Sequence, residues 1–385
     1  MQLTPEMKAQ INEQKKNCVY CKITSKEISA KTVFSDNKTE AVLDIYPAVK
    51  GHVVYFLKEH YPITPYIPPE DSRHFFGLIP QLCKQIQKGM VTVGMNVLIS
   101  SGNAAGQLVP HVLVHLLPRD EGDGFYHFML KKTTVLNQEK KNTFQQYFPL
   151  RMSSYFKENP ASWHHDSGDV PEFLTDIYQR NTVIYEDEKL VCIIPEKGAV
   201  EGHLEIYSKI EQSSISKLSI VDSIHLFSTA SLASSLVFEA VGAQGTNIIV
   251  KSGKSDDNPQ GRLSIHILPR FFDDKLKELT WEQKQPSYNL DGIYTKIKDA
   301  MWPVKYVELK ELPEITSQKD SQPNPPVNSQ INVQPNSPVN SQKQSSFDKG
   351  QEKYVESNQH DGRSSTKREQ NHHDEIREAI DRLKQ

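Results

Sequence analysis

The chain is predicted to be α+β: two tandem units, each an antiparallel sheet with one long helix, followed by a disordered C-terminal tail. Three observations predict this. Short β-prone runs between turn formers surround a single long amphipathic stretch, Glu70 to Gly89. The stretch from Val33 to Arg119 recurs without a gap 151 residues later, so that Asp36 meets Asp187. Beyond about residue 313 the composition shifts to Ser, Gln, Asn and Pro.

The bulk numbers agree. A chain of 385 residues with 37% apolar content can bury two ordinary cores and leave polar sequence over. A net charge of −3 and a pI near 6.5 supply no global field for nucleic acid or an anionic membrane surface. No apolar run approaches the roughly 18 residues of a membrane span, and MQLTPEMKAQINEQKKN has no apolar signal-peptide core, so the expectation is a cytoplasmic protein. Four cysteines are too few for a disulfide framework in a chain this long.

In order along the chain, the first fifteen or so residues read as a short polar helix or a frayed arm. Lys31 to Phe34 and Ala41 to Ile45 are β-prone runs around the turn former Asp36-Asn37, a hairpin signal. Val53 to Leu57 is a continuous apolar strand, as expected where both faces are covered. In the helix over Glu70 to Gly89, Phe75, Leu78, Ile79, Leu82 and Ile86 form one buried stripe, and Pro80 predicts a kink or a late start. Met95 to Ser100 is the next strand, Gly102 to Gly106 a small-residue loop, and Val109 to Leu117 a last strand. There His111, Leu113 and His115 share one face while Val112, Val114 and Leu116 take the other.

At the 151-residue offset Gly51-His52 meets Gly202-His203, Asp71, Ser72, His74 and Phe76 meet Asp222, Ser223, His225 and Phe227, Asn96 meets Asn247, and His115 with Leu117-Pro118-Arg119 meets His266 with Leu268-Pro269-Arg270. Between the copies, Trp163-His164-His165-Asp166 reads as a solvated loop, having no further ligand at metal spacing. Leu290 to Met301 is expected as a helix closing the second copy. A final helix, Asp374 to Lys384, carries a short stripe of Ile376, Ala379, Ile380 and Leu383 suited to docking on a protein partner.

QLVPHVLVHLLPR, with the Gly51-His52 pair before it, resembles the signature of the histidine triad (HIT) superfamily, in which three alternate histidines lie along one strand and the middle one is the nucleophile. Here the middle position is Leu113. The resemblance covers roughly residues 16 to 130 directly and the second half mainly through the repeat. It implies HIT-like domain 1 at 16–130, a linker at 131–180, a degenerate HIT-like domain 2 at 181–305, a disordered linker at 313–370 and a short amphipathic helix at 371–385. HIT domains commonly pair as homodimers, so the two copies are expected to form an intrachain pseudo-dimer and the chain to be a monomer.

Cys18 and Cys21 have CxxC spacing, compatible with a redox pair, a zinc half-site or plain thiols. They do not sit at the strand-to-helix turn of a thioredoxin-like unit, which disfavours redox. The resemblance to the zinc-bearing branch of the superfamily supplies two more ligands, His60 and His111, completing a structural zinc set. It also implies that Asp44 holds ribose hydroxyls and that Ser100, Gly106, Gln107 and His115 lie near the phosphate of a purine nucleotide. Ser100 stands where asparagine is usual, and Pro195 replaces Asp44 in the second copy.

Leucine has no lone pair for an attack on phosphorus, so nucleotidyl-transfer activity is expected to be lost, leaving a nucleotide sensor or carrier. The alternatives are an active HIT-type hydrolase or transferase on phosphoramidates or dinucleoside polyphosphates, and a zinc-stabilised scaffold. The residual catalytic candidates are His115, Ser264 and His266. Ser264 and His266 lie two apart on one strand face, about 7 Å between Cβ atoms, long for a direct hydrogen bond. Finally, Glu211 and Arg262 occupy the second-copy counterparts of His60 and His111 and are expected to pair.

Overall fold

The computed structural model describes residues 5–158 and 169–307, apart from 212, 275, 277 and 278. The motif at 163–166 and the two tail segments expected beyond residue 313 lie outside them. Two short helices, α1 (Pro5–Asn17) and α2 (Val19–Thr24), precede the strands β1 (Thr32–Ser35), β2 (Thr39–Leu43) and β3 (Val53–Leu57). Helix α3 (Pro69–Met90) leads to β4 (Gly94–Ser101) and β5 (Leu113–Arg119). After α4 (Gln138–Glu158) and α5 (Thr175–Arg180) the same order returns: β6 (Thr182–Glu186), β7 (Leu190–Ile194), β8 (Leu204–Ser208), α6 (Ile220–Val241), β9 (Gly245–Ser252) and β10 (Ser264–Arg270). Helix α7 (Leu290–Ala300) follows.

Ten strands form one antiparallel sheet, ordered β1-β2-β3-β5-β4-β9-β10-β8-β7-β6. The halves join where β4 pairs with β9, from Met95 opposite Ser252 to Ser101 opposite Thr246. Helices α3 and α6 lie side by side on one face, and Phe76 stacks on its counterpart Phe227 with ring centroids 5.4 Å apart. The main core fills the space beneath them with Val53, Tyr55, Val97, Val114 and Leu116 and their second-half counterparts. The opposite face carries three smaller clusters, and the candidate site lies on it.

Several expectations change. The signature strand begins at Leu113, because the backbone bends at His111, whose N–H turns to Val109, while Val112 bonds to Tyr61. Helix α3 starts at Pro69 and runs unbroken through Pro80. Proline cannot donate to the Phe76 carbonyl, and Ser223 of α6 supplies the hydroxyl instead, at 2.7 Å. The expected linker holds two helices, of which α4 packs on β6 and α6. Helix α7 closes the first half rather than the second: it lies against α3 and β1, with Tyr294 donating to the Thr32 carbonyl. Helix α6 is long and apolar enough to span a membrane by composition, yet its buried face is a core element of this sheet.

Candidate functional site

Two groups of side chains meet on the open face of the first half. The first is Cys18, Cys21, His60 and His111, whose ligand atoms all lie within 4.8 Å of one another. Cys18 caps α2, Cys21 sits within it, His60 follows β3 and His111 precedes β5. Cys18 Sγ is 3.4 Å from His111 Nδ1, and Cys21 Sγ is 3.3 Å from His60 Nδ1. Zinc–sulfur bonds near 2.3 Å and zinc–nitrogen bonds near 2.0 Å imply tetrahedral edges of about 3.4 to 3.8 Å. His111 Nε2–H donates to the Leu57 carbonyl at 2.8 Å, which leaves the Nδ1 lone pair facing the thiols, the usual arrangement for a metal-bound imidazole. The neighbouring Cys21 thiol and the two histidines hold Cys18 far below the ordinary thiol range, so a thiolate is available there. The donor set therefore fits zinc.

The second group is Asp44, His52 and His115. Asp44 follows β2, and its Oδ1 accepts the Tyr46 N–H at 2.8 Å. Burial raises its pKa, against the Tyr46 hydrogen bond and the charge of His115. Burial drives His52 and His115 down to about 3, so both imidazoles are neutral near neutral pH. His52 Nε2 lies 3.0 Å from His115 Nδ1. His52 Nδ1 accepts the Ala48 N–H at 3.3 Å and lies equally close to Asp44 Oδ2. With its proton on Nε2, His52 accepts from Ala48 and donates to His115, which then presents Nε2–H; a proton drawn to His52 Nδ1 by an ionised Asp44 breaks the Ala48 bond and leaves His115 Nε2 bare.

Around this chain of groups stand the other expected residues. Ser100 Oγ accepts the Asn247 side-chain amide at 2.8 Å. Gly106 turns with φ +78°. Gln107 is fully engaged: its Oε1 takes the Gly102 N–H at 2.7 Å and its Nε2 donates to the carbonyls of Pro62 and His111. Leu113 fills the middle triad position beside the cluster of Val19, Ile23, Val42, Val54 and Phe56. Sequence reasoning missed Trp281, which reaches over from the second half with its ring edge-on to His52 and His115, at 5.5 and 5.6 Å between centroids. Nothing in the local sequence around 281 ties it to a strand 166 residues earlier, so no pattern could have found it.

In the second half, Ser264 Oγ does reach His266 Nε2, at 3.2 Å, because rotamers close the gap that Cβ spacing left open. Which group donates depends on the tautomer of His266. The Ala199 N–H enters His203 Nδ1 at 3.0 Å, His203 Nε2–H donates to His266 Nδ1 at 3.1 Å, and His266 Nε2–H is left to donate to Ser264. In that arrangement the nitrogen facing Ser264 is protonated and is no base; an ionised Glu205, whose Oε1 lies 3.5 Å from His266 Nδ1, draws the proton to Nδ1 instead and leaves Nε2 bare. Glu205, at the counterpart of Val54, is buried beside both histidines with Lys132 at 2.5 Å and Tyr207 donating to it at 2.5 Å. Burial alone would raise Glu205, but His266, His203 and Lys132 hold it well below the usual carboxylate range. Arg262 does not pair with Glu211. It bonds instead to Asp176 of α5 at 3.3 Å, since α5 packs where α2 packs in the first half, and Glu211 is exposed.

Comparison with known proteins agrees with this geometry. The HIT domain model matches residues 25–122. A HIT-like protein of Methanocaldococcus jannaschii is 37% identical over 107 residues, covering 28% of this chain and 82% of that one. The hit protein of Bacillus subtilis is 34% identical over 110 residues, covering 28% and 76%. An adenosine 5'-monophosphoramidase of Candida albicans is 32% identical over 113 residues, covering 28% and 74%. A mixed sheet-and-helix unit with the Gly-His pair and signature strand defines a histidine triad protein. The chain belongs to the HIT family.

Proposed function

We propose that this chain binds a purine nucleoside monophosphate in its first half and does not transfer the nucleotidyl group. The observation that carries this is Leu113, placed between a retained His111 and His115 beside a retained Asp44. In-line attack on phosphorus needs a lone pair at that middle position. Asp44 Oδ2, which faces His52 Nδ1 at 3.3 Å, has further lone-pair capacity to accept ribose hydroxyls, and Tyr20, packed on Phe56, offers a surface for a base. Ser100 and the backbone of the Gly102–Gly106 loop stand at the phosphate side, where His115 Nε2–H can also donate. The adenosine specificity named for the Candida albicans relative supports a purine ligand.

Zinc bound by Cys18, Cys21, His60 and His111 would be structural, since all four positions are protein ligands and none is open to a substrate. The second half has neither an Asp44 counterpart nor a CxxC, and Glu205 puts a carboxylate in its cleft; it binds no nucleotide. The full chain acts as a cytoplasmic monomer.

Calorimetric titration with AMP and a turnover assay on adenosine phosphoramidate test this reading together. Micromolar AMP binding with turnover at least a thousandfold below a complete-triad relative is expected. Robust wild-type turnover would favour the second reading, an active HIT-type hydrolase or transferase. That reading has one specific observation behind it: the Asp44–His52–His115 chain, which in one proton arrangement leaves His115 Nε2 bare. An absence of any nucleotide binding would leave the zinc-stabilised scaffold.

A further inference from the structure

The second half has lost its own ligand groups, yet its strand β9 is built into the first half's loop. Asn247 lies opposite Ser100 across the β4–β9 seam. Its Nδ2 donates to Ser100 Oγ at 2.8 Å and to the Ala105 carbonyl at 2.9 Å. Its Oδ1 accepts Arg270 Nη1 at 2.6 Å, which fixes the amide's orientation. Arg270 is itself clamped, with Nε and Nη2 on the two oxygens of Asp274 at 2.8 and 3.0 Å and Nη2 on the Leu276 carbonyl at 3.0 Å. Asn247 is 1% exposed and Arg270 5%.

The backbones are equally close. A Cβ on Gly245 would meet Ala105 N and Ser101 O at 2.8 Å, and one on Gly102 would meet Gln244 O at 2.9 Å. The Asp274 turn also delivers Thr280 against Gly106 and Trp281 against the two histidines.

We propose that Asn247, oriented by Arg270, is a positioning residue for the phosphate of a nucleotide bound in the first half, a role that rests on the nucleotide reading above. By donating to Ser100 Oγ it uses that oxygen as an acceptor and leaves the Ser100 O–H to donate to a phosphate oxygen. By holding the Ala105 carbonyl it keeps that acceptor turned away from an anion and the amides of the Gly102–Gly106 loop in place.

The mirror-image contact shows the asymmetry. Arg119 bonds to Asn96 Oδ1, and Asn96 Nδ2 donates to Asp257 Oδ2 at 3.2 Å. Asp257 is the second-half counterpart of Gly106, and Arg119 Nη1 also binds its other oxygen at 2.7 Å. That loop carries a carboxylate where the first-half loop has Gly106, so the seam puts a fixed negative charge in one loop and none in the other.

The test compares AMP with adenosine on the full chain, with hydrogen exchange read over residues 101–107. Asn247→Ala should weaken AMP about tenfold, the effect of about one hydrogen bond, leave adenosine within about twofold, and speed exchange of the loop amides. A merely structural role would weaken both ligands alike, and that result, or unchanged loop exchange, overturns the proposal. Should Asn247→Ala fail to fold, Ser100→Ala removes the hydroxyl that the amide orients and must show the same AMP-selective loss; equal loss for both ligands again overturns it. A wild type that binds neither ligand overturns the nucleotide reading and this role with it, whereas one that binds both while the variant keeps its AMP preference overturns this role alone.

Discussion

At the scale of single residues, the chemistry turns on which nitrogen holds which proton. Leu113→His restores a lone pair at the middle triad position on a strand whose neighbours are already placed. It is expected to raise phosphoramidate turnover at least tenfold over wild type; no gain in a variant that still binds AMP would show that more than one group is missing. His52, His115 and His203 are each driven to about 3 by burial, against about 6.5 in an unfolded chain. Below about pH 6.5 the unfolded chain takes up protons that the folded one refuses until about pH 3. The stability these groups contribute is therefore complete above about pH 6.5, declines as the pH falls, and is gone near pH 3. Asp44, raised by burial, has the opposite sign but is one group against three. Urea midpoints at pH 7.5, 5.5 and 4.5 should fall in that order; a flat profile would contradict neutral buried imidazoles.

At the scale of elements, the two halves are controls for each other. Helix α6 ends in the left-handed region at Gly242 (φ 64°), whereas α3 ends there at Val91 (φ 58°), a β-branched residue that is 87% exposed. Left-handed backbone costs such a residue roughly 1 kcal/mol or more. Val91→Gly should stabilise the protein by about 1 kcal/mol, visible as a higher urea midpoint with unchanged slope, and a loss of stability would mean the valine is held by something else. The Cys18–Cys21–His60–His111 cluster and the Arg262–Asp176 pair both tie a short helix to the same sheet face in their respective halves, and only the first is largely buried. Cys18→Ser should lower the melting temperature on the order of 5–10 °C, with one equivalent of zinc lost on metal analysis, while Asp176→Asn, half-exposed, should shift it by less than about 2 °C.

Elements with unbroken apolar patterns were legible: Val53–Leu57 and the α3 stripe follow from burial alone. The start of β5 was not, because apolar alternation continues through the bend at His111. Helix α4 was missed although Phe144, Phe148 and Met152 lie four apart, since Pro149 interrupts the pattern. Cys18 and Cys21 were legible through their CxxC spacing and His60 and His111 only through the family resemblance, whereas the Arg262 partner was not legible, because it is 86 residues away on α5, which does not lie at the 151-residue offset from α2.

At the scale of the whole molecule, the segment after each signature strand crosses to the opposite half. Residues 128–132 reach the second cleft, where Lys132 meets Glu205 and Lys251 donates to the Phe128 carbonyl, and α4 packs on α6. In return, 279–281 roof the first site and α7 lies on α3. The main core runs continuously under α3 and α6, and Leu98, Leu117, Ile249 and Leu268 share a second cluster across the seam. Neither half can open without exposing apolar surface and buried charge belonging to the other, including Arg119 against Asp257. The described body should therefore unfold as one cooperative unit despite its internal repeat, unlike a repeat array whose units contact only neighbours. Calorimetry should give a single transition whose van't Hoff and calorimetric enthalpies agree. Stripping zinc from the first half should move that whole transition rather than split it. Two resolved transitions after chelation, with circular dichroism showing half the sheet retained, would mean the crossed segments do not couple the halves as their packing requires.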